Sequence, residues 1–170
     1  MRVAFAVVVP LAAALLQGSV VPFIGVGDAR PNLVILAAAS WALAAGAREA
    51  IWWAFLGGLA ADLMSGGPVG AQALASLLPV AALGLTQTPG RARSIPTAAL
   101  LIGAASFAAG ILYILVLAFA GIRLPELPVL VTGTVLGAVY NAVLAIATYP
   151  LCRLVCRGAD KQASFSGQAW

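Results

Sequence analysis

The sequence contains no histidine and only two cysteines, and charged residues make up just 8% of its 170 positions. The missing histidine removes the commonest general base and the commonest transition-metal ligand. Cys152 and Cys156 lie four residues apart in a basic stretch, with no histidine or carboxylate cluster beside them in the sequence to complete a metal site. In a reducing compartment both are expected to remain thiols. No nucleophile–base pair, Walker loop or paired carboxylates can be picked out. The sequence therefore points to no enzyme and no cofactor. Nine Lys and Arg give a formal charge of +4, too few and too scattered for a groove that tracks nucleic-acid phosphates. The scarcity of charge has the widest consequence. A soluble domain carries roughly 25% charged residues, whereas this chain lacks the polar surface to face water.

Apolar sequence fills that space: 63% of the residues are hydrophobic, and the mean hydropathy is +1.07. A bilayer solvates such side chains directly, provided that the backbone satisfies itself in helices. Six apolar segments are predicted, at residues 3–24, 32–46, 50–64, 69–88, 96–120 and 129–151. The first follows Met1-Arg2 but exceeds the usual h-region of about 7–15 residues, and reads as a retained helix rather than a signal peptide. The second is short for a span of about 20 residues. Polar connectors separate the segments at 25–31, 47–49, 65–68, 88–94 and 123–128, and Pro96 suits a helix start. The fold class expected is an all-α integral membrane protein with six transmembrane helices in a compact bundle. Residues 1–152 would form the transmembrane domain and 153–170 a short cytoplasmic tail.

Basic residues set the orientation. With the N-terminus inside, Arg2, Arg48, Arg91, Arg93, Arg153, Arg157 and Lys161 are cytoplasmic, and only Arg30 and Arg123 lie outside. Both termini are therefore expected in the cytoplasm.

Asp62 is the one ionisable residue inside an apolar segment. Charge at membrane depth is costly and is a reason to look for function. It also adjoins Ser65-Gly66-Gly67-Pro68, where a carboxylate can cap the next helix. Cap, partner contact, ion ligand and proton site all remain open for it. Ala54, Gly58 and Asp62 share a helix face at four-residue spacing, and small residues there allow close helix approach. Gly133, Gly137 and Asn141 repeat the pattern in the last segment, where a buried amide seeks a partner on a neighbouring helix. Such faces pack internally or hold a partner's helix. Trp41, Trp52 and Trp53 fall near segment ends and read as an interfacial belt. Gln17, Gln72, Thr86 and Gln87 read as packing groups.

From Pro31 to about Leu85 the chain resembles a known family. The residues that carry the likeness are Pro31-Asn32-Leu33, Gly57-Gly58, Ala61-Asp62-Leu63, Gly66, Pro68, Gly70 and Leu74. This pattern is similar to that of the rod shape-determining protein MreD family. The resemblance implies a non-catalytic subunit of the cell-elongation machinery in the bacterial inner membrane. It implies an MreC-like single-span partner, with MreB, RodA and a class B penicillin-binding protein in the same machinery, and a role in controlling cell shape and peptidoglycan synthesis. It further implies a fold similar to the S components of energy-coupling-factor vitamin transporters. An S component is the alternative function, with Asn32, Asp62 and Gln72 lining a pocket. Its docking pattern Ala-xxx-Ala is missing from the first segment, where Ala14 and Gly18 come closest. A third alternative is an accessory subunit of some other complex.

Overall fold

The computed structural model describes residues 2–25, 29–88 and 92–166, with backbone alone at 2–4, 157 and 159–166. Every regular element is a helix: α1 Arg2–Ser19, α2 Val21–Ile24, α3 Leu33–Ala45, α4 Ala47–Ser65, α5 Ala71–Leu85, α6 Ile95–Phe119 and α7 Leu127–Ser166.

The six long helices coincide with the six apolar segments, with two differences. The first segment breaks at Val20, where Pro22 in the first turn of α2 restarts the helix. The last segment does not end at residue 151, because α7 runs on through Ser166. The stretch after Pro150 contains no further proline and is rich in good helix formers. Parts of the connectors expected at 25–31 and 88–94, and the end of the tail, lie outside the described residues.

Local sequence explains the boundaries. Asn32 caps α3 by accepting the Ile35 N–H at 3.1 Å, and Ser94 accepts the Thr97 N–H ahead of α6. Between α3 and α4 the chain turns on one residue, Gly46, with φ at 98°. That left-handed conformation is costly for any residue with a Cβ.

The helix α3 is the centre of the bundle and packs against α1, α4, α5, α6 and α7. Nine of its 13 residues are buried, which is why its apolar residues show no single face. At about 1.5 Å per residue it is roughly 20 Å long, shorter than a hydrocarbon core of about 30 Å. Around it the packing runs α1–α4–α5–α6–α7, and among the described residues α1 and α7 do not pack on each other. Close approaches occur where small residues meet. A Cβ at Gly58 would fall 2.6 Å from the Ala73 Cα, and one at Gly84 would overlap the Ala47 backbone. A Cβ at Gly110 would meet Thr134, and one at Gly103 would meet Ala142.

These contacts set α4 antiparallel to α5 and α6 antiparallel to α7. One end of the bundle carries Arg48, Arg93 and Arg153; the other carries Arg30 and Arg123. At the first end Trp41 and Trp53 stack with ring centroids 4.6 Å apart, and Phe5 packs on both. The Trp41 indole N–H donates to Glu49. The expected interfacial belt is thus corrected for Trp41 and Trp53, which are buried in the core, and of these three tryptophans Trp52 alone is exposed.

The outside of the bundle is apolar. Only 28% of the most apolar window of α6 and 17% of that of α7 is buried by the rest of the protein. Leu100, Leu115, Phe119, Val143, Ile146 and Leu154 all face outward. A soluble core helix would have such residues covered.

Candidate functional site

Asp62 sits in the last turn of α4 and is 2% exposed. The turn that follows brings the chain back onto it. Gly66 and Gly70 adopt φ of 69° and 94°, and the left-handed Gly70 aims the start of α5 at the carboxylate. Asp62 Oδ2 accepts the Gly70 N–H at 2.9 Å and the Gln72 N–H at 3.0 Å. Oδ1 accepts the Gln72 N–H at 3.1 Å. The charge therefore rests on unpaired N–H groups at the N-terminus of α5, where the helix dipole favours an anion. Ser65 Oγ donates to the Asp62 carbonyl and accepts the Gly67 N–H, closing the turn. Pro68 lies in this turn, and its carbonyl accepts the Ala71 N–H.

One and two turns before Asp62, Gly58 and Ala54 are buried. Gly58 lies against the α5 backbone at Ala73. On the other side of α4, Gly57 meets Val34 of α3 and the Pro10 carbonyl of α1. The neighbouring glycines thus seat α4 between α1 and α3 on one side and α5 on the other. Ala54 and Gly58 are buried within the bundle, and α5 lies against Gly58.

The second constellation holds the extended segment that leads into α3. Asn141 in α7 is 1% exposed. Its Oδ1 accepts the Asn32 N–H at 3.1 Å, and its Nδ2 donates to the Asn32 carbonyl at 3.1 Å and to Ser106 Oγ at 3.0 Å. From the opposite side, Gln17 of α1 donates to the Pro31 carbonyl and accepts the Leu33 N–H. Two side-chain amides thus supply partners for the Pro31 carbonyl and for the Asn32 and Leu33 N–H groups, and the Asn32 carbonyl is shared with the Leu36 N–H. In lipid those groups have no water to turn to. Tyr140 donates to the Ile24 carbonyl, and a Cβ on Gly137 would fall 3.0 Å from the Arg30 carbonyl oxygen. Gly133 is half-buried one turn earlier.

The sequence singles out Asn141 and the Pro31-Asn32-Leu33 stretch but does not join them. Gln17 it leaves as a packing group. A polar side chain at the same depth as a helix break is the signal that would have linked all three. Lower in the bundle, Ser40 and Thr148 hydrogen bond between α3 and α7 at 3.1 Å. Among the described residues no buried side-chain polar atom lacks a partner. Cys152 and Cys156 are not joined in a disulfide, and the Cys156 thiol donates to the Ala44 carbonyl at 3.6 Å.

An all-helical bundle that turns apolar surface outward and satisfies its buried polar groups on its own backbone belongs to the class of helical membrane proteins. Residues 1–112 match the family model of the rod shape-determining protein MreD. That is well over half of the chain, and the chain belongs to the MreD family. The match spans α1 through most of α6, so it contains Asp62, the glycine turn and Pro31–Leu33, while Asn141 lies beyond it. The protein is thus a rod-shape-determining membrane protein, of a family that sets shape rather than one defined by catalysis. No curated protein and no solved structure matches it.

Proposed function

We propose that this chain is a six-span subunit of the bacterial inner membrane, with both ends in the cytoplasm. In this reading it holds an MreC-like single-span protein within the cell-elongation machinery and thereby helps to control peptidoglycan synthesis. RodA and a class B penicillin-binding protein are the further members of that assembly. The observation that carries the proposal is the family match over residues 1–112. The distribution of charge supports the orientation, since Arg48, Arg93 and Arg153 gather at the end where α1 begins and α7 leaves the bundle.

The side of the bundle between α1 and α7 is the place we assign to the partner's helix. There α1 and α7 do not pack on each other, α3 and the chain at Ile24 and Arg30 lie between them, and one added helix would complete the ring around α3. Lipid supplies no hydrophobic force between helices, so such a contact relies on close packing. The alternative, a substrate-binding S component, needs polar groups free to meet a ligand. Asn32 and Asp62 are instead committed to backbone N–H groups of α3 and α5, which favours a subunit that binds protein.

Affinity purification from native membrane tests the assignment. Recovery of an MreC-like single-span chain is expected, and recovery of ATPase and coupling subunits in its place would overturn it.

A further inference from the structure

The outer surface where α6 meets α7 combines two features. One is an open groove of about 360 Å³ with an almost wholly apolar lining. Gly103, Ala104, Ala138 and Ala142 line it together with larger side chains such as Leu100, Phe107 and Val139. The groove exists because Gly103 and Ala142 bring the two helices together without bulk above the contact.

The other feature is a pair of arginines at the basic end of the same helix pair. The Arg153 guanidinium lies over the Tyr149 ring, 5.7 Å from its centroid. The Tyr149 hydroxyl accepts the Arg93 N–H at 3.2 Å, and the Arg93 side chain donates to the Thr86 carbonyl at 2.7 Å. Buried Tyr149 is thus the post on which both residues are fixed. Among the described residues neither guanidinium has a carboxylate partner. Each carries five donors in a planar fork that suits a phosphate.

Helical spacing joins the two features. On α7, residues 135, 139, 142, 146, 149 and 153 follow one another at steps of three and four, so Val139, Ala142, Ile146, Tyr149 and Arg153 form a single stripe. Ile146, between the arginine and the groove, is apolar and exposed. From Arg153 to Ala142 the rise is about 16 Å at about 1.5 Å per residue. Half of a hydrocarbon core is about 15 Å. The groove therefore begins where the distal part of an acyl chain arrives when its headgroup lies at the arginines.

We infer that this surface binds an anionic phospholipid, its phosphate between Arg93 and Arg153 and one acyl chain laid along the α6–α7 groove. The site orders a lipid against the protein at the end of the bundle where the basic residues concentrate. It is independent of the partner helix assigned between α1 and α7, and either can fail while the other holds.

The test is lipid retention by the full chain in nanodiscs of phosphatidylcholine with phosphatidylglycerol as the minor component. Native mass spectrometry then reads the lipids kept after gentle extraction. The wild-type protein should retain phosphatidylglycerol in preference. The double variant Arg93→Gln/Arg153→Gln should lower that preference by roughly tenfold, since each basic residue near a membrane surface adds modestly to anionic-lipid attraction. The variant Arg93→Lys/Arg153→Lys keeps the charge and should retain most of the preference. Ala104→Trp fills the groove from its exposed side and should reduce retention while the protein stays monodisperse. Equal retention of the two lipids by the wild-type chain overturns the inference. So does an Ala104→Trp variant with undiminished preference, because the attraction would then be diffuse charge without a seated chain. If the glutamine variant does not fold, the Ala104→Trp result decides alone.

Discussion

Two faces of this protein read alike in sequence and are filled differently in space. Ala54, Gly58 and Asp62 on α4, and Gly133, Gly137 and Asn141 on α7, each set two small residues and one polar group at four-residue spacing. On α4 the small residues admit another helix, and Gly58 lies against the α5 backbone at Ala73. On α7 a small residue admits extended chain, with Gly137 facing the Arg30 carbonyl. The polar residues differ in the same way. Asp62 accepts only, and it faces a helix N-terminus that can only donate. Asn141 both accepts and donates, and it faces the N–H and the carbonyl of one extended residue, Asn32. The chemistry of the polar member thus tells the kind of backbone in front of it, where the small residues alone say only that something comes close.

The largest effect should follow from bulk on α4. Gly58→Leu would drive a side chain into the α5 backbone, which cannot rotate away, and should abolish a monodisperse species in detergent. Gly58→Ala already overpacks the contact and should cost about 1–3 kcal/mol in unfolding free energy. Next comes Asn141→Leu, which removes three hydrogen bonds and strands the Asn32 N–H, while the Asn32 carbonyl keeps the Leu36 N–H. Each buried polar group left unpaired costs about 1–3 kcal/mol, and a lowered Tm should register it.

For Asp62 the comparison of two variants is sharper than either one. Asp62→Ala leaves the Gly70 and Gln72 N–H groups without an acceptor, and losing such a cap costs about 0.5–2 kcal/mol. Asp62→Asn retains one acceptor oxygen and should fall between wild type and Asp62→Ala in Tm. Equal damage by both would show that charge itself is required, and the capping account would have to give way to an ion or proton role. The smallest effect is expected from Gly137→Ala. The added Cβ meets one carbonyl oxygen of a connector, and a shift of a few tenths of an ångström by that connector relieves it. A loss as large as that of Gly58→Ala would mean that the connector is as rigid as a helix, and the distinction between the two faces would fail.

Much of this architecture is legible in the sequence, for reasons that particular residues make plain. Asn32, Gly46, the Ser65–Gly70 turn, Ser94 and Pro96 are local signals whose effect does not depend on distant contacts, and the helices begin and end at them. Asp62 is visible because charge in an apolar run has few reasons to be there. What is not legible depends on depth and partner. Trp41 and Trp53 lie near helix ends, as belt residues do, yet stack in the core, because Phe5 and Glu49 arrive from elsewhere in the chain. Gln17 resembles any packing amide until the Pro31–Leu33 segment is laid beside it. The continuation of α7 to Ser166 is hidden by its polar composition, which gives no apolar stripe although nothing in it breaks a helix.

The central claim is that the buried polar and small-residue positions of α4 and α7 hold the bundle together, and that the proposed partner binds elsewhere. The most direct test is to measure Tm and partner recovery together for Asp62→Asn, Asp62→Ala and Asn141→Leu in native membrane extracts. The account predicts that partner recovery falls only as Tm falls, and that every variant of near wild-type Tm keeps its partner. A variant that melts like the wild type and remains monodisperse, yet recovers no partner, would contradict it.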